Sequence, residues 1–207
     1  MLAGGAFISL AVFTSEHGFS LPLLFNVHVW CMLLGVGAVL PIVTGSLLSS
    51  NSAPNDKRSA HGRVAYFALL CIGIGMVGIF LHKASLGKPL LSFSLHASCG
   101  WLLLAAFTVQ GLSGHRKLRE MQASGVRLHR WHGISGAVLS FAAYIVLALG
   151  LVRVLSSGPA LALALLGCAV PAVGHAAVFI PRMYARTQLN VYASVPATEE
   201  APPSSAA

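Results

Sequence analysis

Four histidines are placed where they could do chemistry. His28, His61, His96 and His132 each stand near the first end of a long apolar run. An imidazole in lipid is costly, so four in one register read as a design. A neutral imidazole binds metal through its unprotonated nitrogen. Two of them facing each other from neighbouring helices would fill both axial positions of a haem iron, which then shuttles electrons and binds no oxygen. Two other readings use the same residues. They could be core histidines hydrogen-bonded between membrane helices. They could also belong to a zinc or copper site, which would want three or four donors at one depth.

The elements that must position them are membrane spans. His96 lies in Leu91–Gly114, LSFSLHASCGWLLLAAFTVQGLSG, an apolar stretch of spanning length. His28 lies in Pro22–Ser49, where Pro22 suits a first helical turn and Pro41 should kink the helix. His61 opens Ser59–Phe80, a glycine-rich run, and His132 opens Trp131–Leu155. Pro159–Ile180 makes a fifth span without such a histidine near its start. SSNSAPNDKRS, HKASLGKP and HRKLREMQASGVRLHR read as the loops between the first four. Leu2–Phe13 is apolar but only about 12 residues long, too short to cross ~30 Å of hydrocarbon. It suits an interfacial segment, an atypical signal peptide or the stub of a longer chain. The tail after Tyr192, rich in Ala, Pro, Ser and Glu, is expected to be disordered.

Composition agrees. The 207 residues are 56% hydrophobic and 9% charged, with a mean hydropathy of +0.79, whereas soluble domains carry about 25% charged residues. The expected fold is an all-α membrane protein of five transmembrane helices. Residues 1–21 form an N-terminal segment, 22–155 a four-helix core, 156–183 the fifth helix and 184–207 a cytoplasmic tail. The net charge of +8 sits in loops between apolar runs, which is a topology pattern and speaks against nucleic acid. Cys31, Cys71, Cys99 and Cys168 all fall inside apolar runs with no CxxC pair, so they read as small core residues.

Topology decides which histidines can meet. Of the 13 Lys and Arg, ten fall on one side: Lys57, Arg58, Arg63, Arg116, Lys117, Arg119, Arg127, Arg130, Arg182 and Arg186. Lys83, Lys88 and Arg153 fall on the other. The positive-inside rule then makes the C-terminus cytoplasmic. The first and third spans start outside, so His28 and His96 share a depth. The second and fourth start inside, which pairs His61 with His132. Gly100 and Gly136, one turn after His96 and His132, would make room for a porphyrin on each ligand's own face. Gly35 stands two turns after His28. The expected cofactors are two b haems, held non-covalently because no CxxCH is present.

FNVHVWCMLLGVGAVLP, SAHGRVAYFALLCIGIGMVGIF, FSLHASCGWLLLAAFTVQGLSG and RWHGISGAVLSFAAYIVLALGL resemble the four successive core helices of the cytochrome b561 family, over about Phe25–Leu151. The resemblance implies two b haems, ligated first-with-third and second-with-fourth. It also implies electron transfer from a cytoplasmic reductant, typically ascorbate, to a ferric chelate or monodehydroascorbate outside. The activity would be that of a transmembrane ascorbate-dependent or ferric reductase-type oxidoreductase. The fifth helix is similar to the branch that carries a preceding DOMON domain, for which nothing before Pro22 provides. The basic stretch of ascorbate-using members is here TGSLLSS, without a charge, which weakens the case for ascorbate.

Further candidates surround the four. Arg63 and Arg130 stand two residues from His61 and His132, where they could pair with haem propionates or draw an anionic reductant. Lys83, with Lys88 beside it, is the expected acceptor-side contact. His129 rivals His132, which is preferred for its depth, and His175 reads as a core histidine. The expected partners are the lipid bilayer, a small-molecule donor and acceptor, a separate redox domain or larger membrane complex, and further copies of the chain. The competing function is that of a structural or assembly subunit that keeps the scaffold.

Overall fold

The computed structural model describes residues 4–17, 21–46, 53–91, 93–124, 131–155 and 158–193. The described residues fold as helices, and no strand occurs among them. In hydrocarbon only internally hydrogen-bonded backbone is affordable, and helices meet that need within one segment. Five of the helices are long and apolar enough to cross a membrane: Leu23–Ser46, Asp56–Ser85, Leu95–Ser124, His132–Val154 and Pro159–Pro181. Large apolar side chains such as Leu70, Leu102, Leu112, Ile145 and Val173 stand exposed on them. Such surface is costly in water and costs nothing in lipid, so the chain is a multi-pass membrane protein.

The first span is built in three pieces: α2 (Leu23–Met32), a π-helical stretch (Leu33–Val39) and α3 (Leu40–Ser46). Pro41 has no N–H and its ring crowds the carbonyl four residues back. The helix answers by widening ahead of the proline, with the Leu40 N–H bonding to the Gly35 carbonyl. The expected kink is therefore a π-bulge one turn before Pro41.

The second span is α4 (Pro54–Ser85), with proline in its first turn. It ends in a Schellman motif. The Lys88 N–H bonds to the Lys83 carbonyl and the Gly87 N–H to that of Ala84, with Gly87 at φ +61°. The third span, α5 (Leu95–Ser124), runs ten residues past Gly114. Much of the expected polar loop is thus helix, because Arg, Lys, Leu, Glu and Met are good helix formers outside the membrane as well. The fourth span is α6 (His132–Val154).

The last helix is α7 (Pro159–Ala193). The chain through His175 forms one compact body, and Ala176 onward is a unit of its own. The stretch expected to be too short to span is a helix, α1 (Gly4–His17), packed into the bundle. Its Phe13 is fully buried in a cluster with Leu33, Leu151, Leu155 and Ala164. Gly5 and Gly167 let α1 lie against α7, where a Cβ on either would strike the other's carbonyl. The Ser9 hydroxyl donates to the Ala164 carbonyl at 2.8 Å. The tail expected to be disordered over residues 184–207 is helical as far as Ala193, where α7 ends, because the helix continues past the span, and residues 194–207 lie outside the described residues.

Candidate functional site

His28, His61 and His96 are each oriented by a main-chain carbonyl on a neighbouring helix. His28 Nδ1 lies 2.9 Å from the Gly75 carbonyl, His96 Nδ1 3.0 Å from that of Val146, and His61 Nδ1 2.8 Å from that of Val43. A carbonyl only accepts, so each Nδ1 carries the proton and donates it. Nε2 is then the lone-pair nitrogen, the atom that would bind a metal, and the ring is held in one orientation.

Close helix approach permits these bonds. A Cβ at Gly78 would sit 2.9 Å from the Leu24 carbonyl, and one at Gly75 3.1 Å from Cys31 Cβ. Those glycines bring α4 onto α2 beside His28. The His96 ring rests on Gly150, where a Cβ would lie 2.8 Å from Cε1.

His28 and His96 line one cavity of about 400 Å³, a size typical of small-molecule and cofactor pockets. Phe80 and Trp101 stack on its wall at 5.1 Å with their rings 21° apart, a flat apolar surface. Gly100 also lines it and faces open space, so the room expected one turn after His96 is there. The charged residues of the lining are Lys83 and Arg153, and no acid is among them. Lys83 lies close enough to His28, and Arg153 to His96, for each to act on its histidine electrostatically.

His61 and His132 stand at the other end of the body. There Tyr66 and His115 join α4 to α5 at 2.7 Å, and Lys117 is within electrostatic reach of His61. The His132 ring rests on Gly114, where a Cβ would lie 2.7 Å from Cε1. Side chains surround it. Ser113 Oγ is 3.4 Å from His132 Nδ1, Gln110 Nε2 donates to the His132 carbonyl at 2.6 Å, and Ser135 Oγ donates to Gln110 Oε1 at 2.8 Å. Gly136, expected to make room for a porphyrin, instead makes room for Gln110, whose Nε2 would be 2.7 Å from a Cβ there. Gly35 likewise serves packing, against Cys71 and Ala68.

The depth between the two ends follows from the helices themselves. Gly75 lies 14 positions after His61 on α4, and Val146 lies 14 after His132 on α6. At about 1.5 Å per residue either helix puts the two histidine levels roughly 21 Å apart.

The other candidates are scattered. Arg63 is exposed, two residues and roughly 200° round the helix from His61. Arg130 and His129 lie outside the described residues. His175 is buried between Thr44, 3.3 Å from its Nδ1, and the edge of Tyr144. Among the described residues no three His, Cys, Asp or Glu converge. Three participants escaped the sequence reading. Arg153 reads from sequence as a topology charge, Gln110 is an ordinary polar residue of a span, and His115 opens the stretch read as a polar loop.

A membrane helix bundle with histidines oriented at two depths is the class of protein this geometry defines. The chain is distantly related to cytochrome b561 proteins. A 95-residue segment is 35% identical to the transmembrane ascorbate-dependent reductase CYB561 of Bos taurus and to that of Ovis aries. The Homo sapiens protein of the same description is 33% identical over 95 residues. The match covers 44% of this chain and 36% of each relative. No family model and no solved structure matches the chain.

Proposed function

We propose that the chain carries electrons across the membrane with two b haems, one between His28 and His96 and one between His61 and His132. The observation that carries this reading is the pair His28 and His96. Both line one cavity, and both give Nδ1–H to a main-chain carbonyl, which leaves Nε2 as the ligating atom. A histidine serving only to bridge helices would need the carbonyl bond but no shared cavity with an aromatic wall. Bound there, haem would supply reversible one-electron iron chemistry.

The chain's own residues do the rest. The carbonyls of Gly75, Val146 and Val43 hold the imidazoles in register, so little reorganisation accompanies a change of charge. The bilayer and the apolar walls exclude water. The basic loops place the His61/His132 side in the cytoplasm, and the direction we propose is that implied by the resemblance, from a reductant there to an acceptor, a ferric chelate or monodehydroascorbate, on the His28/His96 side. The relatives' description as ascorbate-dependent reductases supports a transmembrane reductase role and keeps ascorbate as the first donor to test.

The test is vectorial transfer. Proteoliposomes loaded with ascorbate should reduce a membrane-impermeant ferric chelate outside much faster than protein-free vesicles. Equal rates with haem-replete protein would overturn the reading.

A further inference from the structure

We propose that Lys83 and Arg153 are the two cations that hold the propionates of the haem between His28 and His96, so that Lys83 anchors the cofactor and does not receive the electron acceptor. This assignment rests on the di-haem reading and deepens it. A b haem carries two carboxylates, and a carboxylate at membrane depth needs a cation or water beside it. The lining of the His28/His96 cavity offers two cations and no competing acid.

Their placement matches on the two helices. Lys83 stands eight positions past Gly75 on α4, and Arg153 seven past Val146 on α6. At 1.5 Å per residue these are ~12 Å and ~10 Å beyond the carbonyls that hold His28 and His96. The two cations thus share one level on the outward side of the ligand pair, one near each ligand. Both occupy the last turn of their helix, where the carbonyl dipole favours positive charge.

Lys83 is also built into the cavity rim. The Schellman motif fixes its helix end, its Nζ donates to the Leu90 carbonyl at 2.9 Å, and it is half-buried. Lys88, five residues on, is exposed in the loop, where a soluble anionic acceptor could reach it. Binding a propionate would ask Lys83 to exchange or share the Leu90 carbonyl.

Redox titration of the purified, haem-loaded full chain tests this, with the component lost in His96→Ala identifying the haem. A nearby cation stabilises the ferrous state, which carries one more electron. Lys83→Met and Arg153→Met should each lower the midpoint potential of that component. The ferric-to-ferrous ratio at a fixed potential should rise about tenfold, a shift of about 59 mV for a one-electron couple. The other haem should not move. Lys83→Arg and Arg153→Lys should restore the potential, which separates a lost charge from a damaged fold, and Lys88→Met should leave it unchanged. Lys83→Met that slows reduction of an anionic ferric chelate at unchanged potential would overturn the assignment. Wild-type protein that binds no haem would instead sink the di-haem reading, and this assignment with it.

Discussion

The two ends of the bundle hold their histidines by different means. At the His28/His96 end both imidazoles bond to main-chain carbonyls, those of Gly75 and Val146, and face an apolar cavity rimmed by two cations. At the other end the His61 imidazole bonds to the Val43 carbonyl, while His132 is surrounded by the side chains of Ser113, Gln110 and Ser135. A carbonyl's position follows from the helix, so it changes little with sequence. A side-chain clasp depends on particular residues and can be tuned or lost by one substitution. The His61/His132 end is therefore the one whose ligand geometry mutation should perturb most selectively.

Removing ligands should give the largest effect. His28→Ala and His96→Ala should each remove the same half of the haem, and His61→Ala and His132→Ala the other half, by pyridine haemochrome and reduced-minus-oxidised spectra. If His28→Ala and His61→Ala depleted one shared component, the comparison of ends would have no basis.

Filling the ring contacts should come next. Gly150→Val puts a methine carbon where 2.8 Å separates it from His96 Cε1, and Gly114→Val does the same at 2.7 Å from His132. Helix backbone cannot yield as a flexible side chain does, so overpacking of about 1–3 kcal/mol should displace each ring. Gly150→Val should weaken haem retention at the His28/His96 end alone and Gly114→Val at the other. Loss of both haems in either variant would mean that the ends are not independent.

Cutting the clasp should give the smallest change. Gln110→Leu removes one partner each from the His132 carbonyl and the Ser135 hydroxyl, which still bond to one another, a cost of about 0.5–1.5 kcal/mol per bond. The expected outcome is a broadened, shifted spectrum of the His61/His132 haem with the other haem intact. An unchanged spectrum would show that Gln110 is only a link between α5 and α6.

Much of this architecture was open to reading from residues alone. The spans, the four histidines near their first ends and the shared depths follow from hydropathy and charge, because the bilayer imposes length and sidedness on each segment separately. Boundaries were less legible. Nothing in HRKLREMQAS distinguishes a polar loop from a helix leaving the membrane, and α1 was opaque because its burial depends on α7 and α6. The partners of the histidines had no signal at all. Gly75, Val146 and Val43 contribute main-chain oxygens, which every residue has, so only the tertiary structure could select them. The same holds for Arg153 and Gln110. Their types said topology charge and polar span residue, and the antiparallel packing of α5 on α6 placed one at the cavity and the other at His132. Periodicity and charge are local properties of a chain. Which nitrogen faces which carbonyl depends on the crossing of two helices far apart in sequence, and only packing settles that.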